Sequence, residues 1–225
     1  MANTGTFTAE PLSEPLRYWF KELGLRAAVE FAPYNQVFQQ LLDPASLFAR
    51  NESGPMVILL RLEDRMHQGQ SASSTEQLSL ETLQRNVKEF TLALRTASAR
   101  GSTPILVCFC PPGTAIASDI AHAQALAKVE KSLASELEPL DSVYILTQAQ
   151  LFGWYPVPDY YDARGEELGH VAFTPLFHTA LATAIVRKYH ALNRPPLKVI
   201  ALDCDNTLWS GVCGEDGPRG IRLDP

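Results

Sequence analysis

The sequence predicts an α/β protein built on a doubly wound, mainly parallel sheet. Two observations lead to this fold class. Short apolar runs alternate along the chain with longer segments of helical periodicity, which is typical of β-α-β units. The 225 residues are 46% apolar, so the chain can bury a substantial core. Doubly covered strands of such a sheet are short apolar runs, and the chain contains several of them.

Each predicted strand is a short run of Val, Ile, Leu, Phe or Thr that closes at turn or polar residues. Such runs, bounded in this way, are typical of strands that are covered on both faces. A sixth run follows the others near the carboxyl end of the chain. The predicted strands cover residues 6–8, 27–31, 56–60, 105–109 and 143–146, and then 199–202.

The intervening helices carry clearer signals. One apolar stripe recurs at steps of three and four residues, which predicts a single helix with one buried face. A capping box of Ser73 and Glu76 precedes this helix, and Gly101 follows it. The stripe consists of Leu80, Leu83, Val87, Phe90, Leu94 and Ala97.

Two further helices are predicted downstream. One begins near Ser118 and stops before Pro139. The other begins with Thr174 as its N-cap and Pro175 at its first helical position, and it runs to about Leu192. Residues 193–196 (Asn-Arg-Pro-Pro) then predict a boundary between a domain of residues 1–196 and a second segment of residues 197–225.

Composition excludes several classes of function. The net charge of −6 argues against binding to nucleic-acid phosphates. No apolar run is long enough to span a membrane, and the first residues lack the basic and apolar regions of a signal peptide. Four cysteines are too few for a disulfide scaffold. The sequence therefore predicts a cytoplasmic protein with neither nucleic-acid nor membrane partners.

The most informative stretch follows residues 199–202. There an apolar run ends in Asp203-Cys204-Asp205-Asn206-Thr207, a D-x-D-x-T pattern. A carboxylate can attack phosphorus, and a second carboxylate two residues later can serve as acid and base for the leaving oxygen. Two carboxylates beside a phosphate need a hard cation, for which Mg²⁺ is the usual choice. The pattern therefore favours phosphoryl transfer.

The stretch LDCDNTLWSGVCGEDGPRGIRLDP (residues 202–225) resembles the first motif of the haloacid dehalogenase superfamily, and specifically the FkbH-like proteins of polyketide and nonribosomal peptide pathways. Upstream, TFTAEPL, FAPYNQVFQQLLDP and LLRLEDR are also similar to these proteins. The resemblance implies an enzyme that takes a glyceryl unit from 1,3-bisphosphoglycerate, removes its phosphate and loads it on an acyl carrier protein beside neighbouring megasynthase domains. It assigns Asp203 as the nucleophile, Asp205 as the acid/base, Thr207 as a phosphate donor, and Asp203 with Asp205 as ligands of Mg²⁺.

The chain departs from that pattern at its end. A site of this superfamily also needs a later Ser or Thr, a Lys and an acidic pair, and the sequence ends eighteen residues after Thr207. We therefore expect the isolated chain to lack phosphatase activity. Either it is a piece of a larger enzyme, which we favour, or it is a natural truncation.

The cysteines fall into two pairs. Cys204 and Cys213 lie in or beside the aspartate loop, and the family's glyceryl group is thought to pass through a thiol, so both are candidates for the acceptor. Cys213 is the better candidate because carboxylates flank Cys204 and disfavour its thiolate. Both could also be small filler residues. Cys108 and Cys110 lie two residues apart on a predicted buried strand, which favours a place in the core over a metal site.

The first domain resembles the SGNH-hydrolase-like fold that precedes the phosphatase in this family. His170, with Glu167 three residues earlier and Asp162 nearby, has the spacing of that fold's catalytic base. Thr stands where the nucleophilic Ser is expected, which makes Thr8 a weak candidate, and Asn35, Glu63 and Asp64 fall where oxyanion-hole segments would lie. Two alternatives to the glyceryl transferase remain: an SGNH-type esterase or acyltransferase, and a non-catalytic module that docks a carrier protein.

Overall fold

The computed structural model describes residues 1–66, 80–195, 199–217 and 219–222. In this part of the chain, five parallel strands form one sheet in the order β2-β1-β3-β4-β5. The strands are β1 (Ala2–Gly5), β2 (Glu30–Phe31), β3 (Met56–Arg61), β4 (Ile105–Cys110) and β5 (Val143–Leu146). The predicted α/β fold with a parallel sheet is confirmed.

Helices connect the strands and also follow the last strand along the chain. A 3₁₀ turn at Glu10–Leu12 precedes the first of them. The helices are α1 (Ser13–Glu22), α2 (Val37–Leu42), α3 (Leu62–Met66), α4 (Leu80–Ser98), α5 (Thr114–Ser118), α6 (Ile120–Leu137), α7 (Gln148–Trp154), α8 (Ala163–Gly169), α9 (Pro175–Leu192) and α10 (Cys213–Asp216).

The core consists of two layers, one on each face of the sheet. Alternation along β3 sends Val57 and Leu59 to one layer and Ile58 and Leu60 to the other. Helices α1, α7 and α9 close the first layer, and α2, α4 and α6 close the second. Cys108 and Cys110 are fully buried in the first layer, and burial raises the pKa of both thiols.

The predicted helices agree well with the structure. Helix α9 begins at Pro175, and the Thr174 hydroxyl accepts a hydrogen bond from the Phe177 amide. Helix α6 is capped by Asp119 and ends at Leu137, as the following Pro139 predicts. The capping box of Ser73 and Glu76 lies outside the described residues.

Two strands of the sheet differ from the sequence prediction. The first covers Ala2–Gly5 instead of residues 6–8, because pairing with β3 begins at Ala2 and the Thr8 amide bonds to the His170 carbonyl outside the sheet. The second is limited to Glu30–Phe31, because β2 lies at the sheet edge and only these residues pair with β1.

The chain divides into two compact units, Met1–His190 and Ala191–Pro225. In the described part of the second unit, residues 199–202 form no strand, contrary to the sequence prediction, and Val199 and Ile200 are 80% and 75% exposed. A strand requires a pairing partner, and the backbone bridges described in this unit join other residues, namely Asp205 with Trp209 and Ser210 with Arg222.

Among the described residues, no helix is both long and apolar enough to cross a membrane.

Candidate functional site

In the first unit, polar side chains gather at the carboxyl edge of the sheet, where the strand order reverses. From β1 the chain crosses to β2 on one side and then to β3 on the other. Ligands of open α/β sheets bind at such a switch point. Thr6 follows β1, Asn35 follows β2, and Arg61 ends β3.

Arg61 lies at the centre of this group and is only 4% exposed. Its Nε lies 2.8 Å from both Asp64 carboxylate oxygens. Its two terminal nitrogens donate to the two Glu166 oxygens at 2.9 and 2.8 Å. Burial is the largest single effect and acts to lower the pKa of Arg61, but the hydrogen bonds to Asp64 and Glu166 outweigh it and raise that pKa. The guanidinium is therefore permanently charged and already paired.

Of the two acidic neighbours on α3, Glu63 is buried and Asp64 is half-buried. Glu63 accepts a hydrogen bond from the Gly113 amide at 3.0 Å, which attaches α3 to the loop after β4. Burial raises the pKa of Glu63 and of Asp64, and in both cases Arg61 opposes that rise. We conclude that these carboxylates serve the internal network around Arg61.

The hydroxyl groups at this edge are also engaged. Thr6 is fully buried, and its Oγ1 donates to Asp64 Oδ2 at 2.8 Å and accepts from the Arg61 amide at 3.0 Å. Thr8 Oγ1 donates to the Gly169 carbonyl at 2.6 Å. Neither hydroxyl has a hydrogen bond to an imidazole, so the structure does not bring Thr8 and His170 together as nucleophile and base.

His170 caps α8 in a left-handed conformation, with φ of 54°. Its ring stacks on Tyr34 with centroids 4.5 Å apart, and its Nδ1 lies 3.6 Å from Glu166 Oε1. The nearby carboxylate is therefore Glu166 rather than Glu167, because residues four apart share a helix face. Asp162 has a different task, since its side chain caps α8 at the Gly165 amide.

Asn35 also adopts a left-handed conformation, with φ of 57°. Its backbone N–H donates to the Gly5 carbonyl at 3.2 Å, which connects the loop after β2 to the end of β1. This places Asn35 at the carboxyl edge of the sheet, and its role in an oxyanion hole stays a prediction.

The second unit contains the aspartate loop. Asp203 is exposed, whereas Asp205 is half-buried and its Oδ1 accepts two hydrogen bonds. One comes from Trp209 Nε1 at 3.1 Å and the other from the Cys213 amide at 3.0 Å. Thr207 is exposed, and its amide donates to the Cys204 carbonyl at 3.3 Å.

A second set of contacts closes the loop. Asn206 and Gly211 exchange two hydrogen bonds: the Gly211 amide donates to Asn206 Oδ1 at 2.9 Å, and the Asn206 amide donates to the Gly211 carbonyl at 3.3 Å. Both residues have positive φ, 55° for Asn206 and 103° for Gly211, a region open to Asn and Gly. The structure leaves Cys204 and Cys213 exposed as free thiols at either end of this closed segment.

The donor chemistry of this loop fits Mg²⁺ only in part. Carboxylate oxygens are hard ligands, and Asp203 and Asp205 Oδ2 accept no hydrogen bond within the described residues. Mg²⁺ keeps several waters and takes one or two carboxylates together with substrate phosphate, so two side chains can begin such a site. The part of the chain that the structure describes contains no cluster of three or more His, Cys, Asp or Glu residues able to hold a metal.

Sequence reasoning missed Arg61, Glu166, Tyr34 and Trp209. A charged residue directly after the apolar run of residues 56–60 was the available signal for Arg61, because a strand that ends in Arg places that charge at the carboxyl edge. Glu166 and Tyr34 gave no such signal, since only the fold brings α8 to Arg61 and the turn of Tyr34 to His170.

Comparisons with known proteins support the fold. No protein-family model matches the chain, and no curated protein matches it. Among solved structures, it is similar to the N-terminal part of the protein BF1531 from Bacteroides fragilis, which contains a phosphatase domain complexed with Mg. The TM-score is 0.74 at 18% identity, and the match covers 100% of this chain and 60% of that one. The likeness shows a shared α/β fold, and the chain spans less than two thirds of the length of that structure.

Proposed function

We propose that this chain supplies the nucleophile loop of a Mg²⁺-dependent phosphoryl-transfer site. The observation that carries the proposal is the contrast between the two aspartates. Asp205 is held by two hydrogen bonds within a closed loop, whereas Asp203 is exposed and free to approach a phosphate. One ordered and one accessible carboxylate suit an acid/base and a nucleophile, respectively.

In the proposed reaction, an Asp203 oxygen attacks phosphorus and the bond from phosphorus to the leaving oxygen breaks. Asp205 donates a proton to that oxygen. Asp205 then takes a proton from the water that hydrolyses the phosphoaspartate, which restores both side chains. Bound Mg²⁺ would offset the negative charge of the phosphate and the carboxylates. Thr207 would donate a hydrogen bond to a phosphate oxygen.

We further propose that the full-length gene product is an FkbH-like enzyme. It would take a glyceryl unit from 1,3-bisphosphoglycerate, remove the phosphate and load the unit on an acyl carrier protein. The support is the sequence of residues 202–225 together with the similarity in fold to a chain that contains a phosphatase domain.

The esterase alternative has less support, because the hydroxyls of Thr6 and Thr8 are engaged away from His170. A base within hydrogen-bond reach is what activates such a nucleophile.

The test compares the full-length gene product with the 225-residue chain. We expect the full-length protein with Mg²⁺ to release phosphate from 1,3-bisphosphoglycerate, and Asp203→Asn to abolish this release. Asp141→Asn removes one exposed carboxylate from the first unit and should leave the rate unchanged.

The 225-residue chain should not turn over p-nitrophenyl phosphate, because it lacks the Lys and the later acidic pair. Full-length protein that shows no release, or release that persists in Asp203→Asn, would refute the phosphoryl-transfer proposal. Phosphate release without transfer to any carrier protein would leave a phosphatase and refute the glyceryl transferase.

A further inference from the structure

We infer that Trp209 is a positioning residue for Asp205. The inference rests on the proposed function, and it assigns a task to a residue outside the D-x-D-x-T pattern. Trp209 Nε1 donates to Asp205 Oδ1 at 3.1 Å, and both side chains are half-buried. The indole therefore contacts the carboxylate directly, from four residues further along the chain.

The backbone brings this contact about. The amide of Leu208 donates to the Cys204 carbonyl at 2.9 Å, and Asp205 and Trp209 form a backbone bridge. The chain thus makes one tight turn between the two residues. The closure between Asn206 and Gly211 then returns the chain so that the Cys213 amide reaches the same Oδ1 at 3.0 Å.

The two donors bind the same oxygen of the Asp205 carboxylate, so its two oxygens differ in their hydrogen bonding. Oδ1 accepts from the indole N–H of Trp209 and from the amide N–H of Cys213, and the two donors together restrain the position of this oxygen. Oδ2 accepts no hydrogen bond within the described residues, so it is the oxygen of Asp205 that stays open to a reactant. A carboxylate held in one orientation transfers a proton more effectively than one that must first be ordered.

Of the two donors to Asp205, only the indole of Trp209 can be removed by substitution. The Cys213 amide belongs to the backbone and is present whatever the side chain, whereas the Trp209 donor disappears on substitution. Trp209 is also distinguishable from the other tryptophans of the chain. Trp19 Nε1 donates to the neutral Thr183 hydroxyl at 2.9 Å in the first unit, which makes Trp19→Phe a matched control.

The first experiment tests the contact itself on the 225-residue chain. Heteronuclear NMR of ¹⁵N-labelled protein resolves the indole N–H groups, and Trp209→Phe identifies the signal of Trp209. We expect Asp205→Ala to shift that signal and Asp203→Ala to leave it in place. An unshifted signal in Asp205→Ala overturns the inference independently of any activity.

The second experiment tests the role in the full-length gene product. Two variants remove the donor: Trp209→Phe, and 3-benzothienyl-L-alanine at position 209, which keeps the ring shape and replaces N–H by sulfur. We expect both to lower kcat for phosphate release about tenfold, the lower end of the range for residues that orient a reacting group, with KM unchanged. Trp19→Phe should retain the rate of the wild type.

The outcomes separate the two proposals. A benzothienylalanine variant with normal kcat overturns the positioning role while phosphoryl transfer stands. A raised KM with normal kcat also overturns it, because the indole would then act in binding alone. Wild-type protein with no phosphate release refutes the proposed function and, with it, this role, whatever the NMR experiment shows.

Discussion

Arg61 and Glu166 are 105 residues apart in the sequence and form a two-point ion pair, with nitrogen–oxygen distances of 2.9 and 2.8 Å. The pair joins the end of β3 to α8. The guanidinium also binds Asp64, and Asp64 accepts a hydrogen bond from the hydroxyl of Thr6, which follows β1. One buried cation thus links three segments at the carboxyl edge of the sheet, where related folds place catalytic groups.

We expect the variant Arg61→Met to be strongly destabilised. It removes the cation that balances the carboxylates of Asp64 and Glu166, and breaking a buried pair in this way costs about 3 kcal/mol or more. Urea unfolding of the purified chain measures the loss. Arg164→Met, which removes an exposed Arg of α8, is the control and should change the free energy of unfolding little. A loss of less than about 1 kcal/mol in Arg61→Met, the range of exposed pairs, would show that the network is solvated.

A second prediction concerns His178, which is buried on α9 and whose Nε2 has no hydrogen-bond partner within the described residues. Burial lowers the pKa of His178 from 6.5 to about 4. Between pH 6.5 and 4 the unfolded chain binds a proton at His178 and the folded chain does not. The folded state is therefore at its full stability with respect to His178 above pH 6.5, and it loses stability as the pH falls towards 4. The difference in pKa corresponds to about 3 kcal/mol.

We therefore expect His178→Leu to flatten the dependence of unfolding free energy on pH between 6.5 and 4. His190→Leu, which replaces a half-exposed imidazole of the same helix, is the control for the loss of a histidine. Urea unfolding across this range provides the measurement. Equal slopes in His178→Leu and wild type would mean that the pKa of His178 is the same in the folded and the unfolded chain, which contradicts the prediction.

A third prediction is that the chain does not hydrolyse short acyl esters. The Thr6 hydroxyl is buried against Asp64, the Thr8 hydroxyl donates to the Gly169 carbonyl, and the ring of His170 stacks on Tyr34. We expect the rate with p-nitrophenyl acetate to equal background, and Thr8→Ala and His170→Ala to leave it unchanged. Hydrolysis that disappears in both variants would instead support the esterase.

The fourth prediction concerns the thiols. If the full-length protein forms a covalent glyceryl thioester from 1,3-bisphosphoglycerate, we expect Cys213→Ala to abolish it and Cys204→Ala to retain it. Both thiols are exposed, and Cys213 is preferred on the sequence argument given above, since two aspartates flank Cys204. Intact-protein mass spectrometry detects the adduct. An adduct that survives in both variants would exclude both thiols and favour direct transfer to the carrier protein.

The candidate site could be predicted from the sequence only where its contacts are local. The hydrogen bonds of the aspartate loop join residues within ten positions of one another, such as Asp205 with Cys213 and Asn206 with Gly211. Even there the sequence indicated the carboxylates but not the indole of Trp209. A D-x-D-x-T pattern does not show which N–H group donates a hydrogen bond to its second carboxylate. The apolar run of residues 199–202 predicted a strand that the structure does not form, since pairing depends on a neighbour and not on propensity alone.

The sequence by itself determined the elements that are marked by apolar periodicity or by capping residues at a helix end. The apolar stripe of α4, the Thr174–Pro175 start of α9 and the buried runs of β3 and β4 follow from side-chain spacing and capping chemistry. Only the tertiary structure decided what the carboxyl edge of the sheet contains. The crossovers that place Thr6, Arg61 and Glu166 together span 55 and 105 residues, and no local pattern encodes such distances. Arg61 is buried at that edge, and a buried cation is stable only beside carboxylates, which Asp64 and Glu166 supply.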